Sequence, residues 1–227
     1  MGDVLVNDTA NQTSEVIVEA GEDQLGGNLT IPAGSTAIVL FVHGSGSSRF
    51  SSRNRFVAET LNNAGLATLL FDLLTDEEED IDRFTREYRF DIPLLARRLV
   101  AAIDWVKNLE STKALRIGLF GSSTGAAAAL IGSTERPKEV GAVVSRGGRP
   151  DLAGDYLHNV QAPTLLIVGG NDSVVIQLNE EAARQLNTKH QIEIIPGATH
   201  LFEEPGTLEQ VANFASDWFV NHLVTSK

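Results

Sequence analysis

Arg116-Ile117-Gly118-Leu119-Phe120-Gly121-Ser122-Ser123-Thr124-Gly125-Ala126-Ala127-Ala128-Ala129 reads as strand, sharp turn and helix in immediate succession. An apolar run meets Gly-Ser-Ser-Thr-Gly, and a helix-forming alanine run follows at once. The G-x-S-x-G pattern sets Ser123 at the tip of the turn, with its backbone strained and its hydroxyl clear of the sheet. Gly121 and Gly125 stand where strand and helix approach too closely for a Cβ. The helix start beneath Ser123 adds unpaired N–H groups and a partial positive charge, which favour an oxyanion there. Gly and Ser are also ordinary turn residues, so the rest of the chain has to decide whether Ser123 is a nucleophile.

Working outward, strand and helix patterns alternate almost throughout, which predicts a largely parallel sheet covered on both faces. Strand-like runs occupy 36–42, 66–72, 116–120, 140–145, 164–169 and 191–195, with helical stretches at about 54–64, 92–109, 174–186 and 208–223 between and after them. On the first helix Phe56, Val57, Thr60 and Leu61 are expected to share one face, and on the last Val211, Phe214, Trp218 and Phe219 face inward. Two short strands at 15–20 and 25–32, joined by Gly21-Glu22-Asp23-Gln24, read as an antiparallel hairpin at the sheet edge. The polar residues 1–13 are expected to be loosely ordered. Thr75-Asp76-Glu77-Glu78-Glu79-Asp80 reads as a solvated acidic loop, without the spaced ligands of a calcium site.

In open α/β sheets, ligands gather beyond the carboxyl ends of the strands. Four polar strand endings would meet there: His43-Gly44-Ser45-Gly46, Ser123, Asp172 and His200. A serine hydroxyl is a weak nucleophile at neutral pH and needs a base, which in turn needs a group to fix its tautomer. Ser123, Asp172 and His200 supply nucleophile, acid and base, in the chain order that belongs to one fold among those using this triad. Asp172 sits just before a helix and could instead cap it, and His200 could be a surface residue. Thr124 N–H is expected to donate to the oxyanion, with Ser45 N–H as the second donor and Gly46 N–H the alternative. His43 reads as a brace of its turn, and Asp72 as a loop anchor and fallback acid. His158, His190 and His222 are expected to be solvated.

These motifs, His43-Gly44-Ser45-Gly46, Gly121-Ser122-Ser123-Thr124-Gly125, Gly170-Asn171-Asp172 and Ala198-Thr199-His200, make residues 15–223 resemble an α/β-hydrolase. The short, lidless form is similar to the dienelactone hydrolase family. The resemblance implies one α/β-hydrolase domain over 1–227: about eight strands, mostly parallel, an N-terminal antiparallel hairpin, helices on both faces and no lid. It also implies a serine or cysteine nucleophile and no cofactor or metal. The family's type enzyme uses cysteine where this chain has Ser123, a departure that leaves lactone specificity open.

Composition narrows the partners. The 227 residues carry 18 basic and 30 acidic side chains, a formal charge of −12, which disfavours nucleic acid and anionic membranes. The absence of cysteine excludes disulfides, thiolate metal sites and a cysteine nucleophile. Met1 to Asp8 does not read as a signal peptide, no stretch is apolar enough to span a membrane, and the expectation is a cytoplasmic enzyme. Residues 146–163 leave room for only a turn or two where relatives of this fold insert a lid, so the site should be open and its substrate small. Arg49, Arg53, Arg55, Arg83, Arg86, Arg89, Arg146 and Arg149 either pair with the abundant acids or serve an anionic substrate, with Arg146 the best placed for the latter. The expected activity is hydrolysis of a small ester, lactone or thioester through an acyl-enzyme. The alternatives are an acyltransferase or peptidase using the same triad, or a non-catalytic binding module.

Overall fold

In a computed structural model residues 12–224 are described. The loose order expected of residues 1–13 lies outside them save at the end, where Thr13 opens the first strand.

Eight strands form one sheet: β1 (Thr13–Ala20), β2 (Asp23–Thr30), β3 (Ala37–Val42), β4 (Ala67–Phe71), β5 (Arg116–Ser122), β6 (Val140–Arg146), β7 (Thr164–Gly169) and β8 (His190–Ile195), in the order β1-β2-β4-β3-β5-β6-β7-β8. β1 pairs antiparallel with β2 through a tight turn at Gly21-Glu22, β2 pairs antiparallel with β4, and every pairing from β4 to β8 is parallel. β3, β4 and β7 are buried at every position, as apolar strands covered on both faces must be.

Six α-helices surround the sheet: α1 (Ser52–Asn63), α2 (Asp76–Thr85), α3 (Ile92–Asn108), α4 (Thr124–Glu135), α5 (Ser173–Ala183) and α6 (Thr207–Leu223). One apolar layer joins α1 and α6 to the sheet through Val57, Leu61, Phe41, Phe120, Val211 and Phe219. The opposite layer joins α3, α4 and α5 through Leu99, Ile103, Leu130, Leu119 and Ala182. The β6–β7 connection holds only a 3₁₀ segment (Pro150–Asn159), kinked at Gly154, so this connection contributes no lid over the strand ends. This is the α/β-hydrolase architecture.

Two local expectations are corrected. The acidic run is not a loop: Thr75 caps α2, its hydroxyl accepting Glu78 N–H at 3.2 Å while the Glu78 carboxylate accepts Thr75 N–H at 2.9 Å. Four acids in that first turn favour the positive helix end. On α1, Val57 and Leu61 are buried but Phe56 is 36% exposed, and the buried face is completed by Asn54 and Asn62. His190 lies in β8, exposed at its first position. On α6, Val211, Trp218 and Phe219 are buried and Phe214 packs against them half-buried.

Candidate active site

Ser123 sits between β5 and α4 with φ 50° and ψ −122°. A non-glycine residue in that conformation costs about 1–3 kcal/mol, which the surroundings must offset. They do so with backbone bonds. Ser123 N–H donates to Arg146 O at 3.2 Å, while Ser123 O accepts Ala126 N–H at 3.1 Å and Arg149 N–H at 3.0 Å. The turn is also crowded: a Cβ on Gly125 would fall 2.2 Å from Val42 O, and one on Gly121 2.5 Å from Ala126 Cα. The two glycines of G-x-S-x-G are therefore steric requirements of this corner.

Asp172 and His200 come together although 28 residues separate them: His200 Nδ1 lies 2.7 Å from Asp172 Oδ2. Asp172 stands at the start of α5 but makes no side-chain capping bond, so its carboxylate is committed to the imidazole. The two loops are laced together. Gly170 N–H donates to Ile195 O at 2.8 Å, Asn171 N–H to Ala198 O at 2.9 Å and Asn171 Nδ2 to Gly197 O at 2.9 Å. A Cβ on Gly169 would come within 2.6 Å of both Ala198 O and Thr199 O, which explains Gly169. With Nδ1–H donated to Asp172, Nε2 of His200 is left as the basic nitrogen. Ser123 Oγ makes no hydrogen bond among the described residues. Gly147 lies against His200 on the other side of the elbow, where an added Cβ would sit 3.6 Å from the ring's Cε1.

Opposite the elbow, Gly44 packs on Ser123, an added Cβ falling 3.0 Å from Ser123 Cβ. Ser45 N–H donates to Thr124 Oγ1 at 3.1 Å, and Ser45 Oγ donates to Arg89 O at 3.0 Å. The Ser45 proton being so used, the 2.9 Å contact between the two hydroxyls is donated by Thr124. Ser45 N–H is thus held by the Thr124 side chain, whereas the N–H groups of Thr124 and Gly46 take no hydrogen bond among the described residues. His43 is buried; its Nε2 accepts Leu73 N–H at 3.1 Å, so Nδ1–H donates to Gly44 O at 3.0 Å. Burial lowers its pKa against the opposing pull of Gly44 O and Asp72, keeping the ring neutral.

Most of the arginines pair with acids. Arg49 binds Asp72 through backbone N–H (2.7 Å) and guanidinium, so Asp72 anchors this loop. Arg53 meets Glu203, Arg83 meets Asp80, Arg149 meets Asp151 and Arg89 meets the buried Asp82. Arg146 differs. It is 8% exposed and meets no carboxylate among the described residues. Of the remaining histidines, His158 is exposed with Nδ1 3.1 Å from Gln185 O, and half-buried His222 lies 2.8 Å from Trp218 O.

Two supports escape a sequence reading. Glu204 grips the histidine loop, accepting Thr199 Oγ1–H at 2.6 Å and Thr199 N–H at 3.1 Å. Asp82 accepts N–H donors from Tyr88 at 2.8 Å and Arg89 at 3.0 Å, as well as the Arg89 guanidinium, and so fixes the segment that Ser45 contacts. The only signal for the first is an acid five residues beyond Thr199; for the second there is none at short range.

The dienelactone hydrolase family model matches residues 25–221. A crystal structure of a dienelactone hydrolase from Anabaena variabilis is 60% identical, with a TM-score of 0.93 over 94% of this chain and 99% of that one. Est1E from Butyrivibrio proteoclasticus has a TM-score of 0.78 over 93% of this chain and 99% of that one, but at 16% identity the likeness is one of fold alone. A Mycobacterium tuberculosis protein provisionally named a phosphoribosyl transferase is 57% identical over 209 residues, 92% of this chain and 46% of that protein. The chain therefore spans about half the length of the curated relatives it matches. Sheet order, elbow and family match agree: the chain belongs to the dienelactone hydrolase family.

Proposed function

We propose that the chain is a serine hydrolase that cleaves a small ester, lactone or thioester through an acyl-enzyme. The observation that carries this reading is the 2.7 Å bond between His200 Nδ1 and an Asp172 carboxylate that caps nothing, in a chain whose elbow serine is held at positive φ. His200 Nε2 takes the Ser123 proton as the oxygen attacks the carbonyl carbon, and Asp172 stabilises the imidazolium that forms. The proton is then returned to the leaving oxygen or sulfur. Water, activated by the same imidazole, releases the acyl group. Thr124 N–H holds the oxyanion together with Ser45 N–H, which becomes available when the Thr124 hydroxyl turns away, or with Gly46 N–H in its place.

The short β6–β7 connection suits small, soluble substrates, since nothing there desolvates a long acyl chain. The transferase name belongs to a protein about twice as long as the shared stretch, and the Asp172–His200 pair favours acyl chemistry for this chain. A fluorophosphonate probe should label Ser123, and Ser123→Ala should lower p-nitrophenyl acetate turnover by about 10⁴-fold or more with the circular dichroism spectrum unchanged. Undiminished turnover in that variant, or no label on folded wild type, would sink the proposal. Adding amine or alcohol acceptors separates transfer from hydrolysis.

A further inference from the structure

Arg146 ends β6 one strand away from Ser122, and its carbonyl holds the Ser123 N–H. Its side chain follows Ala142 and Val144 in the strand's alternation, so it points to the α1 and α6 face. There it is buried, with Nε and Nη1 lacking any hydrogen-bond partner. Its neighbour on that face is another cation. Arg53, in the first turn of α1, also has a buried, unpartnered Nε, and its one carboxylate contact is the exposed Glu203 at 3.3 Å. Burial, and then the charge of Arg53, lower the Arg146 pKa to about 10.

Two guanidinium groups lie on this side of the sheet in a chain whose net charge is −12, and neither meets a buried carboxylate among the described residues. The first turn of α1 holds no acidic residue, so its positive end adds to the same field. Burying an unpaired charge is costly, and a guanidinium's fork matches the oxygens of a carboxylate or phosphate. Arg53, with about a third of its side chain exposed, gives the place a route to solvent.

We propose that Arg146 and Arg53 form a binding site for one oxyanion group, carboxylate or phosphate, on the α1 side of the nucleophile elbow. The site is separate from the Thr124 oxyanion hole. It lies beside the catalytic loop, because Glu203, the carboxylate now on Arg53, follows His200 by three residues. An incoming oxyanion takes the place of Glu203 and reaches Arg146 behind it. The group is either the acid tail of the substrate or a free phosphate.

The test is calorimetric titration of inorganic phosphate and of succinate into the full chain. Saturable binding is expected for wild type and for a control, Arg184→Gln, which removes an exposed arginine just past the end of α5. Arg146→Gln and Arg53→Gln should each weaken it by about tenfold or more. No saturable binding to wild type, or equal binding by Arg53→Gln, overturns the proposal; if Arg146→Gln fails to fold, the partly exposed Arg53 still decides it. Heats of binding report on this site whether or not Ser123 is a nucleophile, so its failure is distinct from failure of the hydrolase reading. Competition of either anion with the mono-p-nitrophenyl ester of succinate assigns the site to the substrate's acid tail. Binding without competition assigns it to free phosphate.

Discussion

Replacing Asp172 by asparagine separates two jobs that an aspartate before a helix can do. As an N-cap it would stabilise α5, a role asparagine fills about equally well, so the replacement would leave stability and rate both in place. The carboxylate makes no capping bond, and instead lies 2.7 Å from His200 Nδ1, with 17% of its side chain exposed. A hydrogen bond to a charged group contributes about 1.5–3 kcal/mol, equivalent to roughly 10–150-fold in rate if it forms fully on the imidazolium. The asparagine NH₂ also donates to Nδ1, which moves the ring proton to Nε2 and removes the base from Ser123. Together these predict a fall of about 10²–10⁴-fold in kcat on p-nitrophenyl acetate. For a chain of this size the melting temperature should stay within about 2 °C, since less than 0.5 kcal/mol is at stake. Steady-state kinetics and a circular dichroism melt on the same sample read both. A kcat within threefold of wild type, with the melt unchanged, would show a cap and no triad acid, refuting the reasoning.

Asp82 offers a pH signature. Burial raises its pKa, but the N–H donors of Arg89 and Tyr88 and the Arg89 guanidinium outweigh that and hold it below the usual aspartate value. A depressed native pKa stabilises the fold above the unfolded value near 3.9, and that stability is lost as pH falls through the folded value. Asp82→Asn should therefore cost about 2–4 kcal/mol in urea melts at pH 7, with a smaller difference from wild type at acid pH. A pH-independent difference would contradict this assignment. Gly125→Ala places a methyl 2.2 Å from Val42 O, a backbone atom that cannot rotate away. It should destabilise by about 3 kcal/mol or more or prevent soluble expression, and a melt matching wild type would show that the corner can yield.

The succession of strands and helices and the elbow are readable because period-2 and period-3.6 patterns are local, and because Gly121 records a steric demand made by Ala126 five residues on; the demand on Gly125 comes from Val42 and His43 at the end of β3, though the motif spacing marks it. The acidic run from Thr75 to Asp80 misled through composition: charge density suggested a loop, although Thr75 and Glu78 carry the spacing of a capping box. The buried face of α1 was blurred for another reason. Asn54 accepts the Ser122 hydroxyl and Asn62 donates to Leu66 O, so two polar residues are buried by bonds to partners that periodicity cannot name. Asp172 and His200 were nameable from their strand ends, but only their mutual distance separates a cap from a triad member. The engagement of Ser45 N–H depends on the rotamer of Thr124, which no sequence pattern encodes. Likewise, only the folded chain separates the unpaired Arg146 from its paired counterparts.

The corner around Ser123 is walled by main chain: Val42 and His43 carbonyls press on Gly125, and the backbone of Ala126 presses on Gly121. Walls of that kind are common to all twenty amino acids, so mutations at the wall positions alter what projects outward and leave the wall itself in place. Arg49 and Arg149 hang on the surrounding loops, Arg83 on α2, and each can be exchanged singly. A lineage built on this scaffold is thus free to vary its outward groups while the hydroxyl of Ser123 keeps its address.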